Sequence, residues 1–264
     1  MVNQLLDLLD LEVIDRDVYR GTNPPGDGRR IFGGQVAAQA LRATTLTVPA
    51  GHDVNSLHAY FLRPGRPGVP IVFLVDRIRD GRSFMTRRVV ARQDGEAIFN
   101  LDASFHRSET GPEYQLAMVE GLPDPDSLGR SHRHGHRHGH PIDVREIPSP
   151  PGIRRRWIRG DGEMPEDPCV HACLLAYASD MGAVGVAAGP LDNDEPMMRA
   201  SLDHAMWFHR PVRADEWLLY EMTGVMAARA RGLVRGGFFT RDGVLAVSVS
   251  QEALLRPVDE RRDR

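Results

Sequence analysis

The chain is short of several things, and each shortage closes off a class of function. Cysteine occurs only twice in 264 residues, as Cys169 and Cys173. Four residues apart, the two thiols share one helical face, where they more often pack side by side than form a bridge. His171 lies between them, but two thiols and one imidazole on a single turn make a weak metal pattern, and no metal site is expected. No apolar run approaches the roughly 20 residues that span a bilayer. The opening Met1-Val2-Asn3-Gln4-Leu5-Leu6-Asp7 lacks the basic start and small-residue cleavage site of a secretory leader. A cytoplasmic protein with no membrane partner is therefore expected. Net charge is small too, since Lys+Arg 33 against Asp+Glu 36 leaves −3, too little to recruit nucleic acid. Finally, there is no Gly-x-x-x-x-Gly-Lys loop, no Gly-x-Gly-x-x-Gly turn and no His-Glu-x-x-His helix, so no cofactor is expected.

What is present is an ordinary soluble core composition, 41% hydrophobic and 26% charged, arranged in two similar halves. In the first, Leu5, Leu8 and Leu9 have helical spacing and Leu11 to Tyr19 alternates as a strand. A loop over 21–30 precedes Phe32-Gly33-Gly34-Gln35, a glycine pair that opens an apolar helix. Four strands follow, at Asn55–Phe61, Pro70–Arg79, Ser83–Gln93 and Ala97–Phe105, the last two joined by Asp94-Gly95. The second half repeats helix and four strands: 167–182, then Met198–Phe208, Glu216–Met226, Leu233–Thr240 and Val244–Leu255, with Asp242-Gly243 as the last turn. Ser56-Leu57 recurs as Ser201-Leu202, His58-Ala59 as His204-Ala205, Arg63-Pro64 as Arg210-Pro211 and Asp94-Gly95 as Asp242-Gly243. Between the halves, 111–165 is rich in Pro, Gly, Arg and His and reads as a flexible linker; its tract His132 to His140 is low in complexity, and a solvated tract outweighs an adventitious metal site there. The expected organisation is α+β, with one repeat over 1–110, a linker over 111–165 and a second repeat over 166–264.

The helix from Asp167 to Gly182 holds the main anomaly. Asp167 can cap it, Pro168 suits its first turn and Gly182 ends it. Apolar and small residues lie almost all round it, so it should be buried on most sides. Yet Asp180 stands in its last turn, where the helix dipole disfavours negative charge. A second misplaced polar group ends the last strand, where Leu245, Val247, Val249 and Gln251 share one dry face. An unpaired buried polar group costs about 1–3 kcal/mol, so Asp180 and Gln251 are each other's most economical partners. For Ser201, alternation places Ser201, Asp203, Ala205 and Trp207 on one face and Leu202, His204, Met206 and Phe208 on the other, without saying which is inward. The same alternation argues against a Ser–His–Asp triad within that strand. His204, Trp207, His209 and Arg210 are assigned structural or interface roles.

A buried helix gripped by an antiparallel sheet is the hotdog arrangement, and two in one chain make a double hotdog. Several stretches resemble the acyl-CoA thioesterase II family: Phe32-Gly33-Gly34-Gln35, His58-Ala59-Tyr60-Phe61-Leu62-Arg63-Pro64-Gly65, Tyr177-Ala178-Ser179-Asp180, Glu216-Trp217-Leu218-Leu219-Tyr220, Arg231-Gly232, Gln251-Glu252 and, above all, Leu202-Asp203-His204-Ala205-Met206-Trp207-Phe208-His209-Arg210-Pro211. The resemblance implies hydrolysis of fatty acyl-CoA to fatty acid and CoA, with Asp180, Ser201 and Gln251 as the catalytic set directing a water at the thioester and no covalent intermediate. It also implies assembly as a homo-oligomer, dimer or tetramer. Backbone N–H groups at Gly33 and Gly34 are expected to receive the oxyanion. The first repeat has no acidic residue in its helix and Ala103 stands 148 before Gln251, so one active centre per chain is expected, with Ser56 the only counterpart. The rival readings are a non-catalytic acyl-CoA binding protein and a hotdog enoyl-CoA hydratase. The hydratase would want a helical His after its Asp, and position 185 is Gly.

Overall fold

The computed structural model describes residues 4–23, 30–131, 142–189 and 196–258. The His-rich tract falls outside them. The first half runs α1 (Gln4–Leu9), a hairpin of β1 (Glu12–Asp15) and β2 (Val18–Gly21), the helix α2 (Gly33–Thr45), then β3 (Asp53–Phe61), β4 (Ile71–Asp80), β5 (Phe84–Gln93) and β6 (Glu96–His106). The second runs β7 (Ile142–Ile147), β8 (Ile153–Gly160), the helices α3 (Pro168–Ser179) and α4 (Ala183–Ala188), then β9 (Met197–Ser201), β10 (Asp203–Phe208), β11 (Leu218–Ala228), β12 (Arg231–Thr240) and β13 (Leu245–Pro257).

All strands join one antiparallel sheet in the order β1-β2-β4-β5-β6-β3-β10-β13-β12-β11-β8-β7, with β9 beside β13. Read from its centre, where Leu57 of β3 opposes Met206 of β10, the order is palindromic. Strands β3, β6, β5, β4, β2 and β1 on one side match β10, β13, β12, β11, β8 and β7 on the other. The two halves are thus one α+β unit used twice, with α2 and α3 packed together under the shared sheet, as a double hotdog requires.

Each element follows from its own residues. Helix α3 starts where the Asp167 carboxylate accepts the Cys169 N–H at 2.9 Å, and Pro168 supplies the first helical position. Every residue from Val170 to Ser179 is buried, as the nearly continuous apolar circumference demands. Gly182 reverses the chain at φ 79°, a conformation costly for any residue with a Cβ. In β13 the buried positions include Val247, Val249, Gln251, Ala253 and Leu255, the alternation of a strand with one dry face. Cys169 and Cys173 are free thiols; burial pushes Cys169 up to about 11 and Cys173 further, so both stay protonated packing residues.

The linker expectation over 111–165 needs correction in its final part. Residues 142–160 form the β7–β8 hairpin, which pairs with β11 through Leu218↔Ile158 and Leu219↔Trp157. It is the second unit's counterpart of β1–β2, so that unit begins before its helix, as the first does. Ahead of it, Met118, Val119, Leu122 and Leu128 pack on a separate cluster of Ile147, Trp157, Trp217, Leu219 and Phe239. The Trp157 indole donates to the Pro123 carbonyl at 2.9 Å. Removing this ring is expected to destabilise the fold by about 3–5 kcal/mol. Chemical denaturation of Trp157→Ala measures it, and a change under 1 kcal/mol would mean that the segment merely rests on the sheet.

Candidate active site

Helix α3 ends at Asp180, the residue that closes it. The carboxylate lies at the unfavourable end of its own helix but beside the favourable end of the other one. The Gly34 N–H, in the first turn of α2, donates to Asp180 Oδ2 at 3.0 Å. The N-terminal partial charge of α2 thus offsets the poor placement on α3. This approach explains the glycine pair. A Cβ on Gly33 would stand 2.7 Å from Asp180 Oδ2, and one on Gly34 would stand 2.3 Å from the Tyr177 carbonyl of α3.

The other oxygen, Asp180 Oδ1, accepts from Ser201 Oγ at 3.1 Å and from Gln251 Nε2 at 3.1 Å. Gln251 Nε2 also donates to Ser201 Oγ at 2.8 Å. Asp180, Ser201, Gln251 and Gly34 therefore meet at one point, drawn from both halves of the chain. Asp180 is 8% exposed and Gln251 wholly buried, while Ser201, Gly33 and Phe61 are only partly covered.

Ser201 turns inward because the strand is broken. Ser201 opposes Ala253 and Ala205 opposes Ser250, so three residues, Leu202 to His204, face only two, Gln251 and Glu252. This is a β-bulge, and it moves one side of the strand by a residue relative to the other. Asp203 tightens it by accepting the Glu252 N–H at 2.7 Å. Ser201 and His204, which strict alternation places on opposite faces, now both point to the helices. Strand β3 carries a matching irregularity between Val54 and Ser56. Aligned on the two bulges, the offset is 147 residues for β3 and β10 and 148 for β6 and β13, and the counterparts of Ser201, His204 and Gln251 are Val54, Leu57 and Ala103. Leu46, which closes α2, takes the place of Asp180. Ser56 is thus not the counterpart of Ser201. The pseudo-symmetric position is apolar and carries none of the cluster, and Val54 also borders a cleft of about 240 Å³ whose lining is mixed, with Pro168 and Phe208 beside Asp53, His106, Glu109 and Arg210.

His204 was not among the expected site residues, yet it is 1% exposed within this network. Its Nδ1 lies 2.6 Å from Gln251 Oε1 and its Nε2 lies 2.7 Å from Ser179 Oγ. The local signal was the helical carboxylate's need for a second layer of partners, but alternation across an unseen bulge concealed it. Burial lowers the pKa of His204 and raises that of Asp180. With the imidazole kept neutral, the ligands left to favour the Asp180 anion are the Gln251, Ser201 and Gly34 donors. Arg87 is not available to a phosphate, being fully buried against Thr47 and Asp80. Among the described residues, no three His, Cys, Asp or Glu side chains converge on a metal-sized site, and no helix is long and apolar enough to cross a membrane.

A carboxylate with two side-chain donors, backed by a helix N-terminus and opening to one side, can hold a water and take its proton. Comparisons with known proteins agree with that chemistry. Residues 150–254 match the family model for acyl-CoA thioesterase, and 22–106 match that for the acyl-CoA thioesterase N-terminal domain. The chain is 38% identical to acyl-coenzyme A thioesterase 8 of Mus musculus over 94% of its length and 88% of that protein. It is 34% identical to acyl-CoA thioesterase 2 of Haemophilus influenzae, covering 97% and 98%. A crystal structure of an acyl-CoA thioesterase II from Mycobacterium marinum superposes with a TM-score of 0.86 at 43% identity, covering 97% and 99%. A protein from Alicyclobacillus acidocaldarius described as having a hot dog fold shares the architecture alone, with a TM-score of 0.84 at 19% identity and coverage of 98% and 100%. With both halves of the chain matched in sequence and shape, the protein belongs to the acyl-CoA thioesterase family.

Proposed function

We propose that the chain hydrolyses fatty acyl-CoA thioesters to fatty acid and CoA, using a water held by Asp180, Ser201 and Gln251. The observation that carries the reading is the Asp180 carboxylate with Ser201 Oγ and Gln251 Nε2 both on Oδ1. Asp180 takes a proton from the water as its oxygen bonds to the thioester carbon. The tetrahedral intermediate collapses with cleavage of the carbon–sulfur bond, and the proton passes from Asp180 to the departing thiolate. The Gly34 N–H is engaged by Asp180, so the oxyanion falls to the first turn of α2 at Gly33, supported by the helix dipole. A thioester hydrolase of this kind needs no cofactor. The reading also includes a cytoplasmic location and assembly of the units as a dimer or tetramer, which light scattering tests.

A second reading takes Ser201 as a nucleophile, since its hydroxyl donates to Asp180. Against it, Gln251 Nε2 donates into the Ser201 oxygen at 2.8 Å, engaging one of its two lone pairs and lowering its nucleophilicity. Ser201→Ala is therefore expected to lower kcat by only about 10-fold, roughly the worth of one 1.4 kcal/mol interaction. A dead variant, together with an acyl adduct on the wild-type protein in mass spectra, would instead establish covalent catalysis.

Activity should fall on the acid side of its pH profile as the base is protonated. Burial pushes Asp180 above 3.8, so the limb is expected above the ordinary Asp range. Ser201→Ala removes a donor that favours the anion and should move the limb to higher pH. A limb left unmoved by this change would detach Asp180 from the pH profile.

A further inference from the structure

We infer that His204, oriented by Ser179, is a positioning residue that locks the amide of Gln251 in its working orientation. The inference rests on the proposed role of Gln251 and extends it to two residues whose side chains make no hydrogen bond to the Asp180 carboxylate.

Donors and acceptors in the network can be assigned by elimination. Gln251 Nε2 carries two hydrogens, and two acceptors stand within reach, Asp180 Oδ1 at 3.1 Å and Ser201 Oγ at 2.8 Å. Its Oε1 then faces His204 Nδ1 at 2.6 Å and must receive a hydrogen from it. A neutral imidazole with its proton on Nδ1 has a lone pair on Nε2, which accepts from Ser179 Oγ at 2.7 Å. Every donor in this arrangement points towards Asp180, in the order Ser179, His204, Gln251.

The reverse arrangement is closed internally but fails at its end. Ser179 Oγ also lies 3.0 Å from the Ala176 carbonyl. Were its hydrogen turned there, Nε2–H would donate to Ser179 and Nδ1 would face Gln251 as a lone pair. The amide would then flip, placing Oε1 against Asp180 Oδ1, two acceptors in contact with no hydrogen between them. That state is unfavourable while Asp180 is ionised, the form a general base needs. It would also withdraw both donors from Asp180 and Ser201. The tautomer of His204 thus decides whether Gln251 offers hydrogens to the reaction centre or an oxygen. Tyr220 fixes the far end, its hydroxyl donating to the Ser179 carbonyl at 2.6 Å while its ring stacks on Phe238 with centroids 4.1 Å apart.

In the apolar pseudo-symmetric position the counterpart of His204 is Leu57, which is fully buried. The fold therefore accepts an aliphatic side chain at this point of the strand, so His204→Leu tests the role without demanding a new packing arrangement. Its kcat is expected to fall about 10²-fold, as when one preorganised donor is lost, with KM within about 2-fold. His204→Asn, whose amide N–H replaces Nδ1–H, should recover most of that loss.

The deciding experiment is the double-mutant cycle with Gln251→Ala. If His204 acts through Gln251, His204→Leu changes kcat by less than about 2-fold in the Gln251→Ala background. An equal loss in both backgrounds would overturn the inference, since His204 would then be supporting the scaffold. Unchanged kcat for Gln251→Ala alone would instead overturn the underlying role of Gln251, a separate and distinguishable failure. Should His204→Leu fold poorly, histidine ¹⁵N shifts of the wild-type protein remain decisive: an Nδ1–H tautomer supports the assignment, and an Nε2–H tautomer at neutral pH overturns it.

Discussion

Asp180→Asn is expected to lower kcat for acyl-CoA hydrolysis by about 10³-fold, within the range that a positioned general base contributes. The substitution preserves shape, removes the charge and the capacity to take a proton, and leaves one acceptor oxygen where there were two, to serve either Gly34 or the pair Ser201 and Gln251. KM should change little, because Asp180 is 8% exposed and offers almost no surface to a substrate. Stability supplies the control. Burial raises the Asp180 pKa, so the native state binds the proton more tightly than the unfolded chain does. Ionisation therefore lowers stability as pH rises from the unfolded-state pKa through the raised native one. Loss of the buried charge and loss of one acceptor oxygen act in opposite directions, so the melting temperature should stay within about 5 °C of wild type although activity is lost. Steady-state assays across a panel of acyl chain lengths, alongside thermal melts, measure both. Near-wild-type turnover on every chain length would place the base elsewhere, and turnover lost together with folding would make Asp180 a structural residue.

Gly34→Ala is expected to damage stability and catalysis together, and for one geometric reason. Its Cβ would lie 2.3 Å from the Tyr177 carbonyl and 2.5 Å from the Phe32 ring. The carbonyl belongs to the backbone of α3 and cannot rotate away, so the two central helices must separate. Overpacking of this kind costs about 1–3 kcal/mol, which in a chain of this size corresponds to a fall in melting temperature of about 2–6 °C. The separation also stretches the bond from Gly34 N–H to Asp180, and a displacement near 1 Å in a site can cost about 10²-fold in rate. Gly129→Ala is the control, as nothing lies within 4 Å of a Cβ built there. A Gly34→Ala protein with normal melting and normal kcat would show that the helices tolerate more distance than the site geometry requires.

Much of this was legible from residue order alone. Helix α3 and Asp180 stood out because a carboxylate had no place in an apolar helix end, and Gln251 because it ended a dry strand face. The position of Ser201 did not follow, and the reason is the bulge at Leu202. A single additional residue reverses which face each later side chain takes, and no local feature of Ser201-Leu202-Asp203-His204 announces it. The same residue concealed His204. The repeat itself misled here, because the shared Ser-Leu dipeptide paired Ser56 with Ser201 at an offset of 145, whereas the strands align Val54 with Ser201 at the offset of 147 that Arg63 and Arg210 keep. The β7–β8 hairpin escaped notice because Arg154-Arg155-Arg156 breaks the apolar alternation of β8. Arg156 is nevertheless buried there, and desolvation lowers its pKa to about 10.

The cluster on α3 and its apolar image at Val54, Leu57, Ala103 and Leu46 have a consequence for inheritance. If two identical single units associated through the same sheet, every substitution would appear at both symmetric positions. A carboxylate introduced once would be introduced twice, together with whatever burial penalty it carries. Joining the units in one chain removes that constraint, because each copy of a position can change without the other. The first unit can then be selected for how well its helix start supports the neighbouring carboxylate, and the second for reactivity. Covalent duplication here is a device for breaking symmetry, and titration of functional sites should return one per chain.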